Sequence, residues 1–409
     1  MMTKPADQDR VAAEPRTFPM KRTCPFSPPE EYAVLRETEP ISRATLKVNG
    51  KPTWLITKHE HVKQVLGDPR VSSNLKLPGY PLQVTVPDEM LQSIPLTFVS
   101  MDPPDHTAQR RMLAPEFTLR RMRMLRPRIQ EIVDARIEAM LAEGGPVDLV
   151  TMLALPVPSL VICELLGVPY EAHQKFEEWS MLIMNRDVSE EERGRAHYEV
   201  DAFVDRLVTI KETTPGDDLI SHLIAKNRAE PTVEHSDIAG MARLMLVAGH
   251  ETTANMIGLG TLALLEHPDQ LNAIKNDPTL LPKAVEELLR YFSISDSGGA
   301  RVALEDIEID GVTIRAGDGL IALNNAANHD HAVFPGPDTL DIHREARGHL
   351  AFGYGIHQCI GQSLARIELE IVYATLFNRI PQLRLAASVD ELEFKDAMVF
   401  GLRALPVTW

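Results

Sequence analysis

The feature that most constrains this chain is a segment near its C-terminal end, residues 352–361, which reads Phe-Gly-Tyr-Gly-Ile-His-Gln-Cys-Ile-Gly. Gly353 and Gly355 allow a tight, bulged turn that a residue with a Cβ atom would not readily adopt. Cys359 follows this turn and precedes an amphipathic helical pattern, so its sulfur lies where free N–H groups and the helix dipole stabilise a thiolate. Phe352 is placed to shield that sulfur. The segment therefore predicts a thiolate ligand for iron.

Two other interpretations of this segment fit the sequence less well. Gly353-Tyr354-Gly355 could be part of a dinucleotide-binding fingerprint, but the third glycine and a preceding strand–helix context are missing. His343, His349, His357 and Cys359 could bind zinc. Their spacing of six, eight and two residues matches no compact zinc module, and the sequence has no second cysteine pair.

Composition and charge narrow the class of protein further. The chain has 409 residues, of which 44% are hydrophobic, and this is enough apolar material for a large core. Without a Gly/Ser-rich linker, a repeat or a low-complexity tract, we expect one monomeric unit over residues 1–409, with residues 1–26 as an extended N-terminal segment. A net charge of −16 argues against a nucleic-acid partner, because phosphates repel such a surface.

Cysteine usage and hydropathy indicate the cellular compartment of the protein. Cys24, Cys163 and Cys359 are odd in number and widely spaced, so they predict no disulfide framework and a reducing, cytoplasmic setting. Residues 1–26 contain no apolar core of signal-peptide or membrane-anchor length. The apolar run 238–265 is long enough to span a bilayer, but it contains charged residues that are costly in lipid. We therefore expect a long helix in a protein without a membrane anchor.

The periodicity of the chain predicts a mainly helical α+β protein. Ile41–Val48 and Lys51–Thr57 form an expected hairpin around Asn49-Gly50, and Val302–Ile309 pairs with Val312–Ile314 around Asp310-Gly311. We place the small sheet region near the N-terminal third. The expected helices are residues 124–143, 151–166, two within 170–213 with a break near 189–192, a long helix capped by Ser236 and ending near Glu266, 282–291 and 361–377, followed by short strands after Pro381.

The centre of the long helix carries an unusual run of residues. Gly249 weakens the helix, and the Thr252 hydroxyl is placed to bond the carbonyl group of Ala248, four residues back. Such a helix is expected to open locally and leave a groove. Glu251 adds an acid next to this groove.

Two further pairs of charged residues have helical spacing. Glu287 and Arg290 are three apart, so they share a helix face and can form an ion pair. His106 and Arg110 are four apart, so two basic side chains face the same way and suit carboxylate groups. Each pair alone would be an ordinary surface feature. The pairs become informative together with the other motifs, because all of them follow one another in a particular order along the chain.

With these motifs in hand, the chain resembles the cytochrome P-450 superfamily over nearly its whole length. The segment 352–361 matches the haem-binding signature Phe-Gly-x-Gly-x-His/Arg-x-Cys-x-Gly, and the Glu-x-x-Arg pair at 287–290 precedes it by about seventy residues, as in the family. The run Ala-Gly-His-Glu-Thr-Thr at 248–253 resembles the family's oxygen-activation motif, in which the acid is often Asp.

The resemblance implies a fold, a cofactor and a set of site residues. It implies the P-450 fold, a triangular helical prism with small β-sheets, which holds haem b between the long central helix and the helix after the cysteine loop. Cys359 would ligate the iron. Arg344 would join Glu287 and Arg290 as a structural support. By family position, the remaining cofactor contacts would be Phe352, Gly353, Ala248 and Gly249 around the haem and His106, Arg110, Arg301 and His357 at its propionates.

The reaction implied is the insertion of one atom of O₂ into an organic substrate. Thr252 would hold the oxygen species and its waters, Glu251 would relay protons, and the thiolate would favour O–O cleavage. No flavin or iron–sulfur segment is left over in the chain, so electrons would come from NAD(P)H through a separate ferredoxin reductase and ferredoxin. Arg111 and some of the later arginines of the block Arg110–Arg128 would steer an acidic ferredoxin. The alternative is that the block is a solvated basic face or that its arginines pair with local acids.

The closest resemblance is to the soluble actinobacterial branch that hydroxylates macrolides, polyketides, steroid-like molecules and drug-like xenobiotics. The implied substrate is therefore a lipophilic small molecule. Arg243 is expected to be ion-paired or solvated. The expected substrate contacts are the 75–96 loop with Leu96, the region of residues 181–184, and Leu244, Ala248, Ser293, Ile294 and Phe400.

Two other classes of haem protein stay open. One is a peroxide-driven or rearranging haem-thiolate enzyme that needs no electron partner. The pair of Glu251 and Thr252 argues against it. The other is a haem-binding sensor or carrier without turnover, which consumption of NAD(P)H linked to substrate would exclude.

Overall fold

Short-range signals account for the first sheet of the molecule. The structure is a computed structural model that describes residues 16–169, 172–184, 188–295, 298–395 and 397–409, apart from the side chains of residues 176, 177 and 184. The first fifteen residues of the expected N-terminal segment lie outside this part. The strands Ile41–Leu46 and Pro52–Ile56 pair antiparallel, and Gly50 adopts a φ of 70°, so the first hairpin prediction is confirmed.

The described residues form helices that are joined by turns, strands and longer loops. The helices are α1 Glu30–Thr38, α2 His59–Gly67, α3 Asp88–Ser93, α4 Asp105–Leu113, α5 Leu119–Met124, α6 Arg126–Glu143, α7 Pro156–Leu166, α8 His173–Met184, α9 Glu190–Thr213, α10 Leu219–Ala229, α11 His235–Glu266, α12 Pro268–Asn276, α13 Leu281–Phe292, α14 Asn324–Ala327 and α15 Gln362–Arg379. The helix predictions are confirmed to within a few residues. Ser236 is not the cap of the long helix, because the N-cap is Glu234, two residues earlier, and its side chain forms a capping box with that of Asp237.

The strands form one larger sheet and two small ones. They are β1 Thr17–Phe18, β2 Ile41–Leu46, β3 Pro52–Ile56, β4 Val71–Ser72, β5 Val147–Asp148, β6 Ala300–Ala303, β7 Ile307–Ile309, β8 Val312–Ile314, β9 Gly319–Ala322, β10 Arg384–Leu385 and β11 Pro406–Thr408. The larger sheet has the order β1-β2-β3-β9-β6-β4, the second β10-β11-β5, and β7 pairs with β8.

The sheet differs from the sequence prediction in two respects. β7 and β8 form the predicted hairpin, but the residues before it form a separate strand, β6, which pairs with β9 and β4. The larger sheet is also not confined to the N-terminal third, because β3 pairs in parallel with β9, more than 260 residues later in the chain. Parallel pairing of distant strands leaves no local signal in a sequence.

The long helix α11 forms the centre of the helical region. Residues 253–264 are buried on every side, as expected for a core helix rather than an amphipathic surface helix. Tyr373 of α15 donates a hydrogen bond of 2.5 Å to the carbonyl oxygen of Met256 in α11. A Cβ atom at Gly260 would lie 2.0 Å from the Tyr373 oxygen, so only glycine permits this approach. α11 and α15 are therefore held close together, one on each side of the site described below.

Candidate active site

The cysteine loop has the bent geometry that its glycines predict. Gly353 and Gly355 both have positive φ angles, 70° and 74°. The Cys359 N–H donates to the carbonyl oxygen of Phe352 at 2.8 Å and closes the turn. α15 begins at Gln362, three residues after the cysteine, so the sulfur lies at the start of that helix. The loop thus presents one sulfur atom to the interior cavity that Cys359 and Phe352 both line.

The electrostatic environment of Cys359 is mixed. Burial raises the pKa of the Cys359 thiol, while the backbone N–H of Gly361, the charges of Arg110 and Arg366, and the N–H of Gln362 oppose the rise. The helix start therefore acts as the sequence predicts, but it does not outweigh burial by itself. A thiol that coordinates a metal ion is deprotonated outright, so these donors are suited to a sulfur bonded to a cation.

A buried ion-pair network supports the cysteine loop from below. Arg290 donates to both carboxylate oxygens of Glu287, at 2.7 and 2.8 Å, and both side chains are fully buried. Arg344 donates to the same carboxylate at 3.1 Å. Arg290 also donates to the backbone oxygen of Asn328, whose side-chain oxygen accepts the N–H of Leu350. The sequence-predicted trio is thus brought together, and Asn328 links it to the loop.

A mostly apolar cavity of about 390 Å³ lies between α11 and the cysteine loop. Its walls come from α2, α4, α7, α11, α13 and α15, from residues 98–99 before α4 and from the loop after α13. Among the predicted site residues, Leu244, Ala248, Gly249, Thr252, Ile294, Arg110, Arg301, Phe352, Gly353, His357 and Cys359 line it.

The part of α11 that faces the cavity carries the predicted hydroxyl contact. Thr252 Oγ1 donates to the carbonyl oxygen of Ala248 at 2.7 Å. The helix continues unbroken from His235 to Glu266, so the expected local opening is not a break in the helix. A Cβ atom at Gly249 would lie 3.1 Å from Ile162 of α7, and this close crossing is why a larger residue would fit poorly there.

Glu251 has a partner that the sequence did not reveal. The Lys395 ammonium donates to Glu251 Oε1 at 2.6 Å and to Asn255 Oδ1 at 3.1 Å. Glu251 is almost fully buried, and its second oxygen has no hydrogen-bond partner among the described residues. Lys395 lies on the segment after β10, where no periodic pattern marks it. Glu251, a buried carboxylate held by one lysine, is the neighbour in sequence of Thr252, which lines the cavity.

Four basic side chains gather at one edge of the cavity. The rings of His106 and His357 lie 4.4 Å apart, and the Arg110 guanidinium donates to the carbonyl oxygen of Gln358. Burial and the nearby charges of Arg301, His106 and Arg110 lower the pKa of His357 to about 3. Arg110 and Arg301 form no ion pair with a carboxylate within the described part of the chain. A cluster that repels its own members in this way suits an anionic ligand.

The remaining predicted substrate contacts lie away from the cavity walls. Leu96 and the 75–96 loop do not line the cavity, nor do the described side chains of residues 181–183; Met184 lies outside the described side chains. Phe400 stacks on Phe394 with ring centroids 5.4 Å apart. Arg243 pairs with Asp201 at 2.9 Å, so its expected ion pairing is confirmed.

Ser293 is a structural residue rather than a cavity wall. It ends α13 with a φ of 40°, donates to the carbonyl oxygen of Arg290 at 2.8 Å and accepts from Asn328 Nδ2 at 2.5 Å. Its hydroxyl is therefore fully engaged in the network below the cysteine loop. The prediction of a substrate contact at Ser293 is wrong for this reason.

The alternative of a zinc site finds no support. Among the described residues, no three His, Cys, Asp or Glu side chains are grouped as a metal site requires. His349 instead contacts Glu286. A single sulfur, apolar walls, and two arginines that form no ion pair within the described part of the chain, beside two histidines, are what haem requires: a thiolate ligand, a hydrophobic slot and partners for two propionates. Fold and site together define the class of haem-thiolate proteins.

Comparisons with known proteins place the chain within this class. The family model described as Cytochrome P450 matches residues 195–380. Pentalenic acid synthase of Streptomyces avermitilis is 47% identical over all of both chains. Vitamin D3 dihydroxylase of Streptomyces griseolus is 44% identical over all of both chains. The 20-oxo-5-O-mycaminosyltylactone 23-monooxygenase of Streptomyces fradiae is 46% identical over 96% of this chain and 92% of the relative.

Solved structures agree with the sequence relatives. Cytochrome P450 MoxA from Nonomuraea recticatena is 50% identical, with a TM-score of 0.89 over 96% of this chain and 98% of that one. The mycinamicin VIII C21 methyl hydroxylase MycCI from Micromonospora griseorubida is 41% identical, with a TM-score of 0.90 over 96% of this chain and all of that one.

The chain therefore belongs to the cytochrome P450 family, in the actinobacterial branch that the sequence resembles, and it has the P450 fold. It is a monooxygenase, an oxidoreductase whose cofactor is haem b. The predictions of fold, enzyme class and cofactor are confirmed. Within the described residues, no helix combines the length and hydropathy that crossing a bilayer requires.

Proposed function

We propose that the chain hydroxylates a lipophilic small molecule of the macrolide, polyketide, steroid-like or drug-like class. The apolar cavity between α11 and the cysteine loop carries this proposal, because apolar walls with a few polar groups bind and orient apolar ligands. The names of the relatives support the class, since they include vitamin D3 and a mycaminosyltylactone.

Each residue of the site takes a separate part in the proposed reaction. Cys359 would hold the haem through its sulfur, and the haem when bound would supply the oxygen chemistry. Arg110, Arg301, His106 and His357 would hold its propionates. Thr252 would offer its hydroxyl to the oxygen and water that reach the haem, and Glu251 would pass protons from the protein surface to the Thr252 hydroxyl. The apolar walls keep bulk water away from the substrate.

Electrons are proposed to come from NAD(P)H through ferredoxin reductase and ferredoxin. Of the arginine block, Arg121, Arg126 and Arg128 already form ion pairs with acids of this chain. Arg111, Arg120 and Arg123 are exposed and form no ion pair within the part of the chain that the structure describes. α5, which carries two of them, contacts α15, the helix after Cys359. These three arginines are therefore the proposed docking charges.

An optical titration with a library of macrolides, steroids and drug-like compounds tests the substrate class. A ligand that displaces water from the iron shifts the Soret band. Turnover of such a ligand under ¹⁸O₂ with NAD(P)H, ferredoxin and reductase is expected to place one labelled atom in the product. Product formed with peroxide and without the electron partners would favour the peroxide-driven alternative. Binding without any turnover would favour the sensor alternative.

The docking proposal is tested by the rate of the first electron transfer. Charge steering predicts that this rate falls steeply as salt rises, and that Arg111→Glu slows it at low salt while leaving substrate affinity unchanged. Arg195→Glu is the matched control, since Arg195 lies exposed on α9 and pairs locally with Glu191. A rate independent of salt, or equal slowing by both variants, would contradict docking at Arg111.

A further inference from the structure

Two adjacent glutamates of α13 contact different parts of the site. Glu287 holds Arg290 and Arg344, whereas Glu286 faces α15 and the cysteine loop. Glu286 Oε1 accepts from Arg366 Nε, and Oε2 accepts from Arg366 Nη2 at 3.0 Å. The same Oε2 lies 3.1 Å from His349 Nε2. Burial opposes the charge of Glu286, but hydrogen bonds from His349 and Arg366 lower its pKa to about 2.

The hydrogen bonds around His349 identify its tautomer. Its Nδ1 accepts the backbone N–H of Ala351 at 3.1 Å, so Nδ1 carries no proton. Nε2 is then the protonated nitrogen and donates to Glu286. In this arrangement the Glu286 carboxylate accepts from His349 and pairs with the Arg366 guanidinium. We call these three side chains the Glu286 clamp.

Two side chains of the clamp contact Phe352, which lines the main cavity together with Cys359. The Arg366 guanidinium carbon lies 4.6 Å from the centroid of the Phe352 ring. The His349 ring lies 5.9 Å from the same ring. The carbonyl oxygen of Phe352 in turn accepts the N–H of Cys359. One carboxylate therefore holds the two side chains that contact the Phe352 ring, and the backbone of Phe352 is bonded to Cys359.

We propose that Glu286 is a positioning residue that sets the reduction potential of the haem by offsetting the charge of Arg366 beside the Cys359 thiolate. The inference rests on the proposed ligation by Cys359. Reduction adds one electron from the donor to the ferric centre, which makes the site one charge more negative. An uncompensated cation nearby favours the reduced state, and an uncompensated anion disfavours it.

The surroundings of the clamp limit the size of this effect. Glu286, His349 and Arg366 line a second cavity of about 860 Å³ that is more polar than the first. Their side chains are 17%, 2% and 28% exposed, so water partly screens the charges. We therefore expect the clamp to change the reduction potential moderately, because the thiolate determines the main properties of the site.

The test is the midpoint potential of the ferric/ferrous couple in three variants of the holoenzyme. Glu286→Gln removes the anion and is expected to favour reduction by about tenfold, which is about +59 mV for one electron. Arg366→Gln removes the cation and is expected to shift the potential in the opposite direction. The double variant is expected to return close to the parent value, because both charges are gone.

Glu370→Gln is the matched control. Glu370 lies on α15, lines the same second cavity and pairs with Arg126, away from Phe352. The Glu370→Gln variant is expected to shift the equilibrium between ferric and ferrous protein by less than twofold. A role in packing alone predicts that Glu286→Gln and Arg366→Gln shift the potential the same way, and either that result or an equal shift in Glu370→Gln would overturn the proposal.

The ferrous carbonyl spectrum separates this proposal from the proposed function. A red-shifted Soret band in the parent and the variants shows that the thiolate is retained, so any change of potential is then due to the clamp. Absence of that band in the parent would instead defeat ligation by Cys359. If Glu286→Gln does not retain haem, the potential of Arg366→Gln decides alone, and a rise or no change would overturn the proposal.

Discussion

The two sides of the main cavity are built in opposite ways. Below it, the cysteine loop is fixed by charged networks around two neighbouring glutamates, Glu286 and Glu287, and by backbone hydrogen bonds through Asn328. Above it, α11 presents mostly apolar side chains, with the Thr252 hydroxyl bonded only to its own helix and with Glu251 held by Lys395.

This difference matches what each side must do. A metal ligand loses its function when its geometry varies, so many directional bonds hold it. The opposite side must admit oxygen, protons and a substrate, and a dense polar network there would bind water and compete with them. Separate elements therefore serve the two needs. α13 and α15 hold the cysteine loop rigidly, whereas α11 leaves space for oxygen, protons and the substrate.

The largest effect on the contrast between the two sides of the cavity is expected from removing the sulfur atom of Cys359. Cys359→His is expected to abolish the red-shifted Soret band of the ferrous carbonyl complex while some haem remains bound, because an imidazole donates less electron density than a thiolate. Cys163→Ala is the control, since Cys163 is a buried core residue of α7. A thiolate spectrum that survives Cys359→Ala would refute the assignment.

The next largest effect is expected from the buried network. Glu287→Gln leaves the fully buried Arg290 without its anion, and breaking such a pair costs about 3–5 kcal/mol of unfolding free energy. Denaturant unfolding of the holoenzyme measures this loss. Glu191→Gln, which removes an exposed i,i+4 partner of Arg195, is expected to change stability by less than about 1 kcal/mol. Similar losses in the two variants would mean that burial of the pair does not matter.

Substitutions on the α11 side of the cavity are expected to change the reaction rather than the stability of the protein. Thr252→Ala is expected to keep substrate binding and NAD(P)H consumption but to lower product per electron on the order of tenfold, with peroxide released instead. Thr261→Ala is a matched control, because Thr261 bonds the carbonyl oxygen of Ile257 at 2.8 Å in the same way and does not line the cavity. Unchanged coupling in Thr252→Ala would remove that residue from the proposed mechanism.

The smallest effect is expected from the lysine that holds Glu251. Lys395→Met leaves a buried carboxylate without its cation, which favours the protonated form and slows proton delivery by about two- to tenfold. The measurements are product formation and its solvent isotope effect. Lys275→Met serves as control, because Lys275 donates to the carbonyl oxygen of Pro381 and lies over the Phe377 ring, away from Glu251. An isotope effect equal to that of the parent would show that Glu251 does not need Lys395.

The sequence alone predicts the parts of this molecule that depend on local chemistry. The Asn49-Gly50 hairpin, the helix α11 and the bend at Gly353 and Gly355 all follow from short-range rules. The parallel pairing of β3 with β9 does not, because the two strands meet only through the tertiary fold.

The same limit applies to the site. The spacing of Glu287 and Arg290 predicts their pairing, and a family resemblance extends this to Arg344. Lys395 could not be found in the same way, since it reaches Glu251 across 144 residues without a motif. Ser293 was expected to contact the substrate because of the family resemblance, whereas its hydroxyl, at a residue with a positive φ, bonds within the network below the cavity.

One short segment near the C-terminus, residues 394–402, connects functions that an engineer would wish to change separately. Val399 forms a bridge to Ser295, and the N–H of Phe400 donates to the carbonyl oxygen of the cavity residue Ile294 at 2.8 Å. The N–H of Lys395 in the same segment donates to Gly401, whose backbone abuts Asn255. Libraries that remodel this turn for a new substrate will therefore also disturb the partner of Glu251. Selectivity and efficient use of reductant should show epistasis here, and variants evolved for one will need a compensating change in the other.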